Sequence, residues 1–100
     1  MKLYFISGRY RAATIRGVVE NIRAAEAVAL KYWTLGAVIC PHPNTALLDG
    51  SLPDETWLAG DLEMLKRCDV IVMLPDWNKS AGAIQEHKLA VRLGLEVIYE

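Results

Sequence analysis

Residues 69–86 read DVIVMLPDWNKSAGAIQE, and they decide the fold. Val70, Ile71, Val72, Met73 and Leu74 form an unbroken apolar run, rich in β-branched residues and closed by Pro75. A run that short suits a parallel strand covered on both faces. The loop PDWNKSAG then turns the chain. Ser80 is a good helix N-cap, and the composition is helical from Ala81 onward. Strand, small-residue loop and helix N-terminus make an anion-binding corner, because the N–H groups of the first helical turn point outward without partners. Glu86 follows six residues after Ser80, on the side of the helix expected to face the sheet. Its carboxylate is the chemical centre of the sequence.

On either side of this stretch the elements alternate. Lys2 to Ser7 (KLYFIS) reads as a first strand, and Gly8 to Ala13 (GRYRAA) as a loop with two arginines and a tyrosine. A long helix is expected from Thr14, its N-cap, to Leu35, with Gly36 as the stop. Its apolar stripe is Ile15, Val18, Val19, Ile22, Ala25, Ala29, Leu30 and Trp33. Ala37 to Cys40 is a second strand ended by PHP, and His42 to Gly50 reads as irregular. Ser51 with Asp54 resembles a capping box, and a second helix runs from there to about Arg67. Gly94 stops the third helix, and Glu96 to Tyr99 is the last strand.

One hundred residues make one domain spanning 1–100, and 53% hydrophobic residues suffice for a core buried on two sides. The order β-α-β-α-β-α-β with right-handed crossovers gives an α/β fold, a flavodoxin-like three-layer α/β/α sandwich. Its four-stranded parallel sheet is expected in order 2-1-3-4. In that order the winding reverses between strands 1 and 3, and ligands bind at the carboxyl ends of strands where it reverses. The rule selects GRYRAA and PDWNKSAG, the two most polar and irregular loops.

A formal net charge of -1 gives no electrostatic reason to expect nucleic acid. The N-terminal apolar run is too short for a signal peptide or a membrane span, so no membrane partner and a cytoplasmic location are expected. Cys40 and Cys68 match no metal spacing and read as reduced, mostly buried thiols; neither a metal nor a cofactor is expected. Strand 1 ends in Ser-Gly rather than an acidic cluster, against receiver-type signalling. The absence of G-x-G-x-x-G speaks against a dinucleotide site.

Asp61 and Glu86 both fall on core-facing helix stripes, where an acid is costly unless paired. Glu86 lies about one and a half turns from its helix start, near the mouth of the crevice. Asp61 lies roughly 13–15 Å into its helix and reaches the crevice only if that helix overhangs the sheet. Glu26, about 16 Å along the first helix, reads as a structural pairing. For Glu86 the structural alternative is a pairing with an arginine of the first loop. Ser80 serves equally as cap or ligand contact, and Trp77 as core, interface or base-stacking platform. Asp76 is a candidate contact or a solvated loop residue. Arg9 and Arg11 become anion contacts beside the switch point. His42 and His87 read as ordinary loop and satisfied core histidines.

YFISGRYR, DLEMLKRCDVIVML and S-x-G-x-x-x-E together resemble the nucleoside 2-deoxyribosyltransferase family and the related deoxynucleoside 5′-monophosphate N-glycosidases. The segment Trp77 to Glu86, W-x-x-S-x-G-A-x-x-E, is most similar to short members of that group, and the likeness covers nearly the whole chain. The resemblance implies that Glu86 is the nucleophile attacking C1′ of the sugar. Asp61 would hold sugar hydroxyls or assist the base. It implies phosphate or 5′-side contacts at Ser80 and Gly82, and a nucleotide-binding first loop of Ser7, Gly8, Arg9, Tyr10 and Arg11. The transferases carry residues beyond the last strand that complete a neighbour's site. This sequence ends at Glu100, a departure that counts against transfer and bears on catalysis as a whole. Three functions follow: a glycosidase- or transferase-like enzyme on nucleosides or nucleotides, a non-catalytic nucleotide-binding module, or a structural domain. A homodimer or higher homo-oligomer is expected from leftover apolar surface: Val28, Tyr32 and Leu35 off the main stripe of the first helix, and Trp57 near the start of the second.

Overall fold

The structure is a computed structural model that describes residues 1–100. Its elements are β1 (Leu3–Ser7), α1 (Ile15–Trp33), β2 (Ala37–Ile39), α2 (Pro41–Asn44), α3 (Asp54–Leu65), β3 (Val70–Met73), α4 (Ala81–Leu93) and β4 (Glu96–Tyr99). A 3-10 turn over Trp77–Lys79 precedes α4. The strands form one parallel sheet in the expected order, β2-β1-β3-β4. The register sets Tyr4 beside Val70 and Ser7 beside Met73, so β1 and β3 end together.

Alternation along the strands divides the core in two. Tyr4 and Ile6 of β1, with Val70 and Val72 of β3, pack against Ala25, Ala29 and Tyr32 of α1. Phe5 of β1, with Ile71 and Met73 of β3, packs on the opposite face against Leu65 and Cys68 beside α3 and Ala83, Leu89 and Ala90 of α4. Ser7, two residues beyond Phe5, therefore points toward α4. Asp69 fixes the start of β3, its Oδ2 accepting from the Leu3 N–H at 2.8 Å.

Several local expectations change. The core-facing stripe of α1 is Ile22, Ala25, Ala29 and Tyr32, while Ile15, Leu30 and Trp33 are 77%, 71% and 57% exposed. The apolar arc of this helix is wider than the sheet beneath it, so one flank stays in solvent. On α4 the buried residues are Ala83, Glu86, Leu89 and Ala90, while Val91 and Leu93 are exposed. Thr14 caps α1 by accepting from the Gly17 N–H, as expected, but Gly36 is not left-handed. A Cβ there would lie 2.5 Å from the Lys2 carbonyl oxygen, so glycine is needed for close approach to β1. The segment after β2 begins with the short helix α2. No capping box forms at Ser51: α3 begins after Pro53 with no side-chain cap. Both cysteines are free thiols, and burial pushes each up to about 11.

Candidate functional site

The carboxyl ends of β1 and β3 open into a cavity of about 710 Å³. Its walls come from the loop after β1, from α2 and the segment following it, from α3, and from the first turns of α4. Strand alternation brings Ser7 under α4, and its hydroxyl donates to Glu86 Oε1 at 2.6 Å. Glu86 is 7% exposed and forms no ion pair; the arginine pairing considered for it does not exist. Burial pushes Glu86 up to about 8, with the Asp61 charge adding to the rise and the Ser7 hydroxyl opposing it.

Asp61 also lines the cavity, and burial pushes it up to about 6. Because α3 starts only at Asp54, Asp61 is about 10 Å from the helix start, closer to the mouth than expected, and the helix does overhang the site. Two carboxyl groups on different helices thus share a partly dry pocket, each raised mainly by loss of water.

Ser80 caps α4, its Oγ accepting from the Ala83 N–H at 3.2 Å, while the N–H groups of Ala81 and Gly82 remain free at the cavity wall. Nothing lies within 4 Å of a Cβ built on Gly82. No crowding demands a glycine there, and a glycine in a helix weakens it. At Gly8 the reason is the fold: a Cβ would meet the Leu74 side chain at 2.6 Å.

The loop after β1 is held from both sides. Asn21 of α1 donates to the Tyr10 carbonyl at 3.0 Å. The Tyr10 hydroxyl accepts from the Leu47 N–H at 2.7 Å and donates to Asp49 at 2.8 Å. Arg11 pairs with Asp54 at 2.6 Å, an exposed bridge that ties this loop to the start of α3. Arg9 lines the same wall with no carboxylate partner, whereas Lys79 is paired with Asp76. Arg9 is therefore the free cation of the cavity.

Gly8, Arg9, Tyr10, Arg11, Asp61, Ser80, Gly82 and Glu86 all line the cavity, with Ser7 beneath them. Asp76 and Trp77 do not. Trp77 stacks on His87 with ring centroids 4.3 Å apart and packs, half-buried, against the α3/α4 core. His87 in turn bonds the Tyr99 hydroxyl at 2.7 Å. Asp76 sits in solvent in a left-handed conformation at φ 63°. Among the lining residues not assigned to the site are His42 and Trp57. His42 follows β2 at the same carboxyl edge as the switch point. Trp57 lies one turn before Asp61, at the i, i+4 spacing that shares a helix face. Those two spacings were the available signals.

The structure contains no helix long and apolar enough to cross a membrane. Comparison with curated proteins gives no match. Residues 2–99 match the family described as Domain of unknown function (DUF4406), and the chain belongs to that family.

Proposed function

We propose that this protein binds nucleosides or their 5′-monophosphates and cleaves the N-glycosidic bond, with Glu86 as nucleophile. The observation that carries this reading is the buried Glu86, held only by Ser7, sharing one cavity with Asp61. A carboxyl group with no countercharge is a poor choice for packing, and a useful one where positive charge develops. Breaking the C1′–N bond leaves an oxocarbenium-like sugar. A Glu86 carboxylate oxygen bonds C1′ as the bond electrons pass to the base nitrogen, which takes a proton from Asp61. Water then attacks C1′, gives its proton to Asp61, and releases Glu86 and the free sugar. The free N–H groups of Ala81 and Gly82, with Arg9, suit a 5′-phosphate.

The order of the two groups leaves Glu86 protonated and Asp61 largely ionised at neutral pH. Positive charge at C1′ reverses that order, so ionised Glu86 is favoured most in the transition state. The same order favours a second reading, a non-catalytic nucleotide-binding module, if no bound ligand reverses it. Chromatographic detection of free base from deoxynucleoside 5′-monophosphates separates the two. Base released by wild type and not by Glu86→Ala supports the enzyme; binding without release leaves the module.

The same proposal includes a cytoplasmic location and a homo-oligomer. The flank of α1 carrying Ile15, Leu30 and Trp33 supports the oligomer, in place of the residues expected from sequence. Of those, Tyr32 is buried, Val28 and Trp57 are half-buried, and Leu35 alone is well exposed.

A further inference from the structure

Ser7 closes β1 with a side chain that water does not reach. Phe5 and Ile6 before it and Met73 beside it are apolar. A hydroxyl in that setting needs a partner, and the one it has is Glu86 Oε1 at 2.6 Å. The backbone there is fixed as well, the Ser7 carbonyl accepting from the Leu74 N–H at 2.8 Å. The donor therefore sits on a rigid strand and is aimed at one oxygen of the carboxyl group.

The other oxygen is placed differently. Two buried side-chain polar atoms of the chain are both partnerless and closed to water, His42 Nδ1 and Trp57 Nε1. Glu86 Oε2 also has no partner but is not one of these, so it lies open on the wall of the cavity that Glu86 lines. Both oxygens of Asp61 are in the same condition, unbonded and open. Ser7 thus divides the Glu86 carboxyl group into a held oxygen and a presented one.

We propose that Ser7 is the positioning residue of this site: by holding Oε1 it fixes Oε2 as the oxygen that meets the ligand. The inference rests on the nucleotide reading and refines it. In the cleavage proposed above, a lone pair of Oε2 bonds C1′, the C1′–N electrons pass to the base, and the base takes the Asp61 proton. The Ser7 hydroxyl stays on Oε1 throughout, and its bond strengthens as the carboxyl group becomes a carboxylate. It gives the ionised group a fixed partner where water is scarce. One proton serves the two acids at neutral pH, and it must leave Glu86 for Asp61 before the glycosidic bond breaks. The Ser7 hydroxyl favours that transfer, while the Asp61 charge opposes it; no cation on the walls, Arg9, Arg11 or Lys79, acts on Glu86.

The test compares wild type with Ser7→Ala and Ser7→Cys in two measurements. The first titrates the Glu86 carboxyl carbon by carbon-13 NMR without ligand, the signal being identified by its loss in Glu86→Gln. Ser7→Ala is expected to raise that titration by about one unit, the tenfold effect of a hydrogen bond to a charged group. The second follows base release from deoxynucleoside 5′-monophosphates against pH. In Ser7→Ala, kcat is expected to fall roughly tenfold with KM unchanged. The active form of the pair holds one proton, so the alkaline limb should move up with Glu86 while the acid limb stays. Ser7→Cys keeps the volume and a weaker donor and is expected between the two; it carries the test if the alanine variant does not fold. An unmoved titration overturns the proposal. So does a loss confined to KM or to the melting temperature, which marks a hydroxyl that only fills and pairs. A titration that moves while wild type releases no base refutes cleavage and leaves the positioning role standing. Base release with kcat and both limbs unchanged in Ser7→Ala does the reverse.

Discussion

Replacing Glu86 with glutamine should stabilise the protein, and only at neutral and alkaline pH. Glutamine has the shape of the protonated acid and keeps an oxygen for the Ser7 hydroxyl, which now donates at 2.6 Å. The folded-state value of Glu86 is about 8 against 4.5 for the free group. The folded protein therefore holds a proton that the unfolded chain releases, and stability falls as pH rises from 4.5 to about 8. At 1.36 kcal/mol per unit, with the native group about nine-tenths protonated, the loss at pH 7 is about 3 kcal/mol. Glu86→Gln escapes it. In a domain this small that corresponds to a melting temperature higher by about 12 °C or more at pH 7, shrinking toward zero near pH 4. Asp61, also raised, adds to the slope in both proteins, and the two acids titrate as a pair. Thermal melts of both proteins from pH 4 to 8 measure the gap. A variant that melts below wild type at pH 8, or a gap that does not change with pH, would refute the picture of an unpaired buried acid. The same variant should release no base from any nucleotide that wild type cleaves.

Gly82→Ala should raise stability by about 0.5–1 kcal/mol, because nothing obstructs the new methyl group, yet weaken nucleotide binding; Gly60→Ala, equally unobstructed on α3 and outside the cavity, should stabilise without touching affinity. Ser80→Ala removes a cap and should cost about 1 kcal/mol in a denaturant melt; with Arg9→Ala it should also erase any preference for a monophosphate over its nucleoside, and a preference that survives both changes counts against the phosphate site. Light scattering should give a mass above the 11.1 kDa of one chain, and Trp33→Glu together with Leu30→Glu should return it to that value; a monomeric wild type at micromolar concentration ends the oligomer proposal.

The sheet was legible because each strand is a short apolar run between strong breakers, and because order 2-1-3-4 follows from chain connectivity and crossover handedness. Glu86 was legible for a related reason: a carboxylate on a core-facing stripe stands out against apolar neighbours. Helix faces were read less well. On α1 the apolar arc is broader than the contact with the sheet, so periodicity could not choose between Ile15, Leu30 and Trp33 and the residues that pack, Ala25, Ala29 and Tyr32. Trp77 was placed at the site because its loop is there. The 3-10 turn swings the indole onto His87 instead, a rotation that no spacing rule encodes. Trp57 went the other way, from surface to cavity, because the first turns of α3, which begins after Pro53, run along the cavity.

What joins fold to chemistry is the parity of β1. Phe5 faces α3 and α4, so Ser7 must face them too, and Ile6 between them belongs to the α1 side. A one-residue slip of the strand would put Ile6 under Glu86 and bury the acid against an apolar side chain with no hydroxyl to hold it. The register is fixed by the pairing of Tyr4 with Val70 and by the bond from the Leu3 N–H to Asp69 at the far end of the strand. Gly8 then lets the chain pass Leu74 at a distance no side chain permits, which turns the next residues toward the cavity. The polar chemistry at the carboxyl end therefore depends on packing choices made along all of β1. Conversely, the Ser7–Glu86 bond is itself a check on register, since it forms only when the strand is in phase.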